Sequence, residues 1–445
     1  MESTVKTYTY PDGTMQRVQL VRPDSWEQLQ FLNLRRSEGA LDCFAAILRQ
    51  YLIPACPWIF GHLVLFHIPR GLKIPFSRQT KYGAVADDLT AAAAALKQNI
   101  SIANGRPRFR CAEAKRFWEA LEQQGCIRLV KGKLPTTQFI PVGDAPGFLT
   151  DAEPGAALKV NASFFIMDPI DCATVYDHVG TCLGLMVKNG TVLNPPLYSR
   201  EALLVRKNGT VSIEEPDIRR TDIVIGGTVY RHGRNAILYT RPERLRTPGG
   251  TGKKLIIIGC RVAAVVERGS AAIPASGFVL CPEGECAAKP GDAVSYPGME
   301  DVVFGIQVGN SIVRDGVKTD RFRSRFYNIR HLEPVPFPPS LYPMNFKAGR
   351  AARIALGADE NGKPMLLWAE GAPKLGYLPG THSRGASLAD MADICADLGM
   401  VNAVNLDGGG SAQLLLGDRR TLEISDRNPD CSQSERPVPN ALYIP

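Results

Sequence analysis

The sequence has no segment that would carry it into or across a membrane. Its beginning, MESTVKTYTYPDGTMQRVQL, does not combine a basic start with an apolar stretch, and no uninterrupted apolar run reaches the ~18 residues of a membrane span. These absences predict a cytoplasmic protein without a membrane span. Association with a phage particle or a cell envelope is the alternative localisation.

Long basic runs, basic stripes with interleaved aromatic residues and internal repeats are also missing. The 52 lysines and arginines exceed the 44 aspartates and glutamates by eight, a mild excess for 445 residues. This distribution is typical of a solvated surface with weak attraction for anions, and it predicts no nucleic-acid partner. Nothing in the sequence specifies the oligomeric state.

Few histidines and cysteines stand at the spacings that are typical of metal ligands. The six histidines show no ligand pattern, and the single pair Cys281 and Cys286 lacks the second pair of a zinc site. Without an export signal, reduced and buried thiols are favoured over disulfides for the eleven cysteines. These residues predict no metal site and no cofactor.

What the sequence does contain changes in character near residue 145. Before it lie three helix-like segments, SEGALDCFAAILRQYLI, DDLTAAAAALKQNI and CAEAKRFWEALEQQG, and a strand-like CIRLVKG follows the last of them. After it come short β-rich runs. Asn-Gly or Asp-Gly stands between apolar alternations in GLMVKNGTVLN, ALLVRKNGTVSIEE and SIVRDGVK, which predicts three hairpins.

We therefore predict an α+β fold in two parts. Residues 1–145 are expected to form a helix-rich α/β region of unknown role. Residues 146–445 are expected to form a domain of mixed, mainly antiparallel β-sheet with packed helices. Within it, the Gly- and Pro-rich residues 221–300 are a candidate β-rich inserted subdomain.

One helix of the second part carries complete start and stop signals. In SLADMADICADLG, Ser387 is a predicted N-cap, Asp390 completes a capping box, and Gly399 ends the helix. The following VNAVNLD is predicted to be a buried strand. The residues after it therefore lie in a loop at a strand end, where functional groups are often placed.

That loop, NLDGGGSA at residues 405–412, is the strongest candidate for chemistry. Because side chains alternate along a strand, Asn405 and Asp407 point to the same face. The three glycines that follow let the backbone turn and bring N–H groups close to an anion. On this pattern alone, a functional loop and a plain glycine turn capped by Asp407 are about equally favoured.

The wider sequence resembles the phosphodiester glycosidase family. VNAVNLDGGGSAQLLL, preceded by SRGASLADMADICADLG and followed by SERPVPNALYI, is similar to the family's C-terminal signature. KVNASFF, FGIQVGNSIVRDG and RIALGADENGKPMLLWAEG are similar to further family segments and occur in the same order. The resemblance covers roughly residues 150–445, and TMQRVQLVRP is a candidate for the family's first strands.

Two positions depart from the family pattern. Glu370 stands where the family usually has Asp, which keeps the carboxylate but moves it by one methylene. Ala412 stands where the family commonly has Ser or Thr. Because alanine has no hydroxyl, any role of that Ser or Thr hydroxyl in the family cannot be assigned to this chain.

The resemblance implies hydrolysis of a sugar-1-phosphodiester, similar to an N-acetylglucosamine-1-phosphodiester, at the sugar C1–O bond. Because a phosphomonoester leaves readily, such a site must mainly neutralise its charge, and the planar fork of arginine suits that task. The implied partner is a sugar-phosphate small molecule or a glycopolymer. The alternative is a non-catalytic carbohydrate- or polymer-binding module of a cell-envelope or virion assembly.

The resemblance also implies roles for individual residues. Asp407 and Glu370 are the candidate carboxylates, one activating water or attacking C1 and the other assisting, and Arg353 is the candidate phosphate ligand. Calcium beside Asp407 is an alternative that suits oxygen ligands, but no EF-hand-type spacing supports it. The candidate substrate-binding residues are Asn161, Asn405, Gly408, Gly409, Gly410, Ser411, Arg436 and His382.

These residue types also have structural explanations. Asp407 could serve only as a turn cap, Arg353 as one member of an ion pair, and Asn161 as a buried amide that satisfies backbone groups. The contacts that each side chain makes in the folded protein distinguish the structural explanation from the functional one.

Overall fold

A computed structural model describes residues 1–34, 63–65, 79–80, 83–84, 99–103, 106–123, 127–129, 147–166, 176, 180–197, 200–241, 244–320 and 349–445. Two of the predicted helices, in residues 37–53 and most of 87–100, lie outside these residues. The chain divides into two compact units. One comprises residues 1–34, 147–164 and 182–445, and the other comprises residues 35–146 and 165–181.

The described residues form two α-helices and 29 strands. Helix α1 is Ala112–Gln123 and helix α2 is Leu388–Asp397. The strands are β1 (Glu2–Thr9), β2 (Met15–Arg22), β3 (Gln30–Asn33), β4 (Leu63–Leu65), β5 (Gln79–Thr80), β6 (Gly83–Ala84), β7 (Ile100–Ala103), β8 (Arg106–Phe109), β9 (Ile127–Leu129), β10 (Leu158–Asn161), β11 (Met186–Lys188), β12 (Thr191–Asn194), β13 (Ala202–Arg206), β14 (Val211–Glu214), β15 (Ile223–Ile225), β16 (Thr228–Tyr230), β17 (Ala236–Thr240), β18 (Lys254–Ile258), β19 (Arg261–Val266), β20 (Gly277–Pro282), β21 (Val294–Ser295), β22 (Val302–Gln307), β23 (Ser311–Arg314), β24 (Val317–Lys318), β25 (Arg353–Ala358), β26 (Pro364–Ala369), β27 (Asn402–Asn405), β28 (Leu414–Leu416) and β29 (Asn440–Ile444).

The predicted α+β class, with a helix-rich N-terminal region and packed helices, is wrong. The described residues are mostly antiparallel strands, and the chain begins with the hairpin of β1 and β2. A turn at Tyr10-Pro11-Asp12-Gly13 makes this hairpin, with the Gly13 N–H donating to the Tyr10 carbonyl at 2.9 Å. Such a turn, between runs rich in β-branched residues, favours paired strands over helices.

The largest sheet has seven strands in the order β1-β2-β26-β25-β27-β23-β24. Strand β25 is antiparallel to both neighbours, with Arg353 opposite Ala369 of β26 and Ala355 opposite Asn405 of β27. The beginning of β25 therefore lies at the same sheet edge as the ends of β26 and β27. Strand β2 reaches the same edge, because Val18 is opposite Ala369.

Helix α2 begins and ends close to the predicted residues. The Ser387 hydroxyl accepts from the Asp390 N–H at 3.0 Å, and the Asp390 carboxylate accepts from the Ser387 N–H at 2.8 Å, which confirms the capping box. The apolar residues of the helix, including Met391 and Cys395, are buried in one cluster with side chains of the seven-stranded sheet such as Leu367. This cluster forms the core between helix α2 and the seven-stranded sheet.

The remaining sheets of the larger unit are also antiparallel. A four-stranded sheet has the order β28-β10-β29-β3, and a five-stranded sheet has the order β12-β11-β22-β13-β14. The three predicted hairpins are confirmed as β11–β12, β13–β14 and β23–β24. Asn189 and Asp315 adopt positive φ in two of the turns, as residues preceding glycine in tight hairpins often do.

Within the part of the chain that the structure describes, strands β15 to β21 pair with one another and with no other strand, in sheets of order β16-β15-β21 and β17-β20-β18-β19. In the chain they stand between β14 and β22, which belong to one sheet. The domain boundaries drawn from the sequence stay a prediction. Neither α-helix of the described residues is long and apolar enough to cross a membrane.

Candidate active site

Asp407 lies two residues beyond the end of β27 and is nearly buried, with 6% of its surface exposed. Its backbone N–H donates to the Ala162 carbonyl at 3.0 Å, and its Oδ1 accepts from the Gly408 N–H at 2.9 Å. Its Oδ2 is buried and has no hydrogen bond to the described residues. A buried carboxylate oxygen without a partner is unusual, because losing hydration is costly.

Burial raises the pKa of Asp407 to about 7. The Ser411 hydroxyl, the Arg436 charge, the Gly408 N–H and the Arg353 charge act in the opposite direction. The Ser411 Oγ is close enough to have this effect, although it is not placed in hydrogen-bond geometry. Both protonation states of Asp407 are therefore populated near neutral pH, which suits acid–base chemistry.

Arg353 is the first residue of β25, and only 4% of it is exposed. Its Nε and Nη2 donate to the carbonyls of Ala386 and Gly349 at 3.2 and 3.1 Å. Burial lowers the pKa of Arg353 to about 10, with the Asp407 charge opposing, so the guanidinium stays cationic at neutral pH. It forms no ion pair with a carboxylate among the described residues, so an anionic ligand would complete its surroundings.

The glycine loop turns tightly against the beginning of β25. Gly409 has a φ of +63°, which glycine adopts without strain, and its N–H donates to the Ala352 carbonyl at 2.8 Å. A Cβ on Gly408 would lie 2.8 Å from the same carbonyl oxygen and 3.6 Å from Arg353 Cδ. Since the N–H groups of Gly408 and Gly409 serve the protein itself, the Gly410 N–H is the remaining candidate for a ligand.

Gly410 packs against an ion pair of Arg436 with Asp426, a partner that the sequence did not predict. The Nε and Nη2 of Arg436 contact Asp426 Oδ2 at 2.9 and 2.8 Å, and the Lys374 ammonium pairs with Asp426 Oδ1. A Cβ on Gly410 would collide with both the guanidinium and the Asp426 carboxylate. Asp426 lies in the polar run SDRNPD, which by itself predicts only a loop.

Both carboxylate oxygens of Glu370 have partners within the protein. Oε2 accepts from Arg17 Nε at 2.7 Å and from the Ser383 hydroxyl at 2.5 Å, and Oε1 accepts from the Glu423 N–H at 2.7 Å. These contacts tie β2 and two loops to the end of β26. They favour a positioning role over direct chemistry. The catalytic role assigned to Glu370 from the sequence stays a prediction.

The two asparagines near Asp407 differ in their contacts. Asn161 Nδ2 donates to the Asp407 carbonyl at 2.8 Å, and its Oδ1 accepts from the Gln413 N–H at 2.9 Å. Asn161 therefore forms hydrogen bonds with both ends of the glycine loop. Asn405 Nδ2 donates to the Leu406 carbonyl at 2.8 Å, but its Oδ1 is buried without a partner among the described residues. Asn405 is therefore the better placed of the two for a ligand hydroxyl.

Ser411 and His382 were both predicted to bind substrate. The Ser411 Oγ is fully buried and has no hydrogen bond to the described residues, which leaves its hydroxyl as a candidate ligand contact. His382 Nδ1 accepts from the Leu378 N–H at 2.9 Å, and its ring lies near Tyr377. The contacts of His382 are thus with its own loop rather than with Asp407.

Metal-binding side chains do not cluster in the described part of the chain. It contains no group of three His, Cys, Asp or Glu residues suited to a metal ion. Arg353 and Arg436 lie close enough to Asp407 for their positive charges to act on its carboxylate. Two cations next to the carboxylate favour an anionic ligand there over a metal cation.

One family model matches the part of the chain that holds most of these side chains. Residues 262–445 match the family model described as phosphodiester glycosidase. The resemblance to the phosphodiester glycosidases is thereby confirmed for residues 262–445. The matched segment contains all of the predicted site residues except Asn161.

Individual relatives match over shorter stretches. The human and mouse proteins named N-acetylglucosamine-1-phosphodiester α-N-acetylglucosaminidase are each 38% identical over 80 residues, which is 18% of this chain and 14% of their own length. The zebrafish enzyme of that name, whose catalytic domain was solved auto-inhibited by its pro-peptide, aligns over 67% of each chain with 16% identity and a TM-score of 0.34. A hypothetical protein from Synechocystis aligns over 100% of this chain and 62% of its own, with 15% identity and a TM-score of 0.41.

Proposed function

We propose that the protein hydrolyses the C1–O bond of a sugar-1-phosphodiester, of the N-acetylglucosamine-1-phosphodiester type, and releases the free sugar and a phosphomonoester. The observation that carries this proposal is that Asp407 and Arg353 are both buried and lie close enough for the charge of each to act on the pKa of the other. One is a buried carboxyl with an unpartnered Oδ2 and a pKa near neutrality, and the other is a buried cation without an ion pair among the described residues. Both lie in the segment that matches the phosphodiester glycosidase family model.

In the proposed reaction, the ionised Asp407 acts at C1. It either takes a proton from the water that attacks C1 or attacks C1 itself, and both routes require the carboxylate form. The C1–O bond breaks and its electron pair stays on the bridging oxygen, which leaves as part of the phosphomonoester. Water supplies the hydroxyl of the released sugar, and its remaining proton passes to the phosphate or to solvent.

The negative charge of the leaving phosphate is proposed to be neutralised by cations and N–H groups around the glycine loop. Arg353 is the proposed phosphate ligand, because its planar guanidinium is fixed by two carbonyl groups and remains cationic. Arg436 and the Gly410 N–H are further donors beside it. Asn405 Oδ1 and Ser411 Oγ are proposed to bind sugar hydroxyls, since both are buried without partners among the described residues.

An assay for free sugar tests the proposal. UDP-N-acetylglucosamine and aryl phosphodiesters of several sugars are incubated with the protein, with Asp407→Asn, and with Asp393→Asn as a matched surface variant whose aspartate is 69% exposed. We expect release by the wild type and by Asp393→Asn, and a loss of roughly a thousandfold or more in Asp407→Asn. Circular dichroism checks that both variants are folded.

Two results would contradict the proposal. Turnover by Asp407→Asn near the wild-type rate would remove Asp407 from the mechanism. Binding of the phosphodiesters without release of any sugar would instead identify a non-catalytic binding module.

A further inference from the structure

An exposed apolar surface adjoins the candidate site. Of the ten large apolar side chains that the described residues expose, three lie together in residues 374–380, here called the apolar loop. Leu375, Tyr377 and Leu378 are 47%, 37% and 57% exposed. Single exposed leucines are common, but three large apolar residues within four positions form a patch that suits an apolar ligand or partner.

The apolar loop is held in place at both ends. At its beginning, the Lys374 N–H donates to the Ser425 carbonyl at 2.9 Å. At its end, the Leu378 N–H donates to His382 Nδ1, and the Leu378 carbonyl accepts from the His382 N–H, both at 2.9 Å. The exposed side chains therefore stand on an ordered backbone, as a binding surface requires.

The same loop is joined to the proposed phosphate site. The Lys374 ammonium pairs with Asp426, and Asp426 holds Arg436 against Gly410. Leu378 is four residues from Lys374, so their Cα atoms are at most roughly 14 Å apart. A phosphodiester bound beside Arg436 could thus extend its leaving-group side past Lys374 onto the apolar loop.

We infer that the apolar loop binds the aglycone, and that the preferred substrates are sugar-1-phosphodiesters whose leaving phosphomonoester carries an apolar group. This inference rests on the proposed function and specifies its substrate class. Lys374, at the start of the loop, supplies a charge next to the phosphate. Leu375, Tyr377 and Leu378 then cover the apolar group, with a gain that grows with the apolar area removed from water.

Three esters of the same sugar-1-phosphate test the inference, with methyl, octyl and triethylene glycol aglycones. The octyl and glycol chains have similar length, so they separate apolarity from size. We expect the octyl ester to have a kcat/KM about tenfold above the other two. The variant Leu375→Asn/Leu378→Asn should lose this preference and retain wild-type activity on the methyl ester.

A matched variant controls for the loss of exposed apolar residues in general. Leu193→Asn/Ile237→Asn alters two residues that are 44% and 41% exposed on other sheets, and it should keep the octyl preference. Equal kcat/KM for all three esters would overturn the aglycone inference while leaving the proposed hydrolysis intact.

Binding measurements separate the two proposals if no ester is hydrolysed. Calorimetry with Asp407→Asn then compares the octyl and glycol esters. Tighter binding of the octyl ester, lost in the added Leu375→Asn/Leu378→Asn changes, would support the aglycone surface although the hydrolase proposal had failed. Equal binding, or sedimentation showing that these leucines instead hold two copies of the chain together, would overturn it.

Discussion

At the scale of single residues, Asp407 sets the expected dependence on pH. Its pKa is raised to about 7 by burial, and the proposed chemistry needs its ionised form. We therefore expect kcat/KM to rise with pH and to level off above an apparent pKa of about 7. Initial rates between about pH 5 and pH 9 measure this, and a profile that falls over this range would assign Asp407 to acid catalysis instead.

The same carboxyl should reduce stability at neutral pH. Because the pKa rises from 3.8 to about 7 on folding, the folded state binds more protons than the unfolded state between these values. The free energy of unfolding therefore falls as pH rises through this window, by up to roughly 4 kcal/mol. Below about pH 4 the carboxyl is protonated in both states and the loss disappears.

Asp407→Asn removes this titration, so the variant should be more stable than the wild type at about pH 8 and similar to it near pH 4. Urea unfolding at both pH values measures the difference. A variant no more stable than the wild type at about pH 8 would show that the buried carboxylate is stabilised by contacts not recognised in the structure.

Glu370 is expected to respond differently from Asp407. Glu370→Gln weakens the contacts with Arg17, Ser383 and the Glu423 N–H, which should lower the free energy of unfolding by about 1–3 kcal/mol. Since Glu370 is a positioning residue in the proposed mechanism, kcat should fall by less than about tenfold. The exposed Glu360→Gln serves as control. A loss of activity as large as that of Asp407→Asn, without a loss of stability, would restore Glu370 as a catalytic carboxylate.

At the scale of elements, the glycine loop depends on close packing as well as on backbone freedom. Gly410→Ala places a methyl group against Arg436 and Asp426, and should cost about 1–3 kcal/mol of stability and raise KM for the phosphodiester. Gly249→Ala, whose Cβ would meet nothing within 4 Å, is the matched control. Thermal unfolding and steady-state kinetics measure both effects, and an unchanged KM would separate Arg436 from substrate binding.

Elements with complete local signals were predicted correctly. Helix α2 has a capping box, and the three hairpins have glycine at their turns, so hydrogen bonds within a few residues specify each of them. The beginning of the chain was predicted wrongly as part of a helix-rich region. Its strand β2 is specified largely by pairing with β26, some 350 residues later in the sequence.

At the scale of the whole molecule, the segment that matches the family model is shorter than the compact unit that contains it. Residues 262–445 contain β26 and β28 but neither β2 nor β10, which pair with them. Expressed alone, this segment would leave one face of the site unsupported and expose strand edges. We expect it to lack the cooperative thermal unfolding of the full chain, as measured by circular dichroism; a sharp transition in the fragment would contradict this.

The sequence by itself determined the elements formed by near neighbours and the loop that holds the candidate carboxylate, because strand alternation, caps and glycine turns act over a few residues. Only the tertiary structure decided which side chains remain available for a ligand. Asn161 and Asp407 are 246 residues apart, yet the Asn161 amide is used by the Asp407 carbonyl. Likewise, the Glu370 carboxylate accepts a hydrogen bond from Arg17, near the beginning of the chain. Asp407 Oδ2, by contrast, is buried without a hydrogen-bond partner among the described residues, and burial raises the pKa of Asp407. Desolvation and long-range pairing depend on the whole fold, and no short stretch of sequence encodes them.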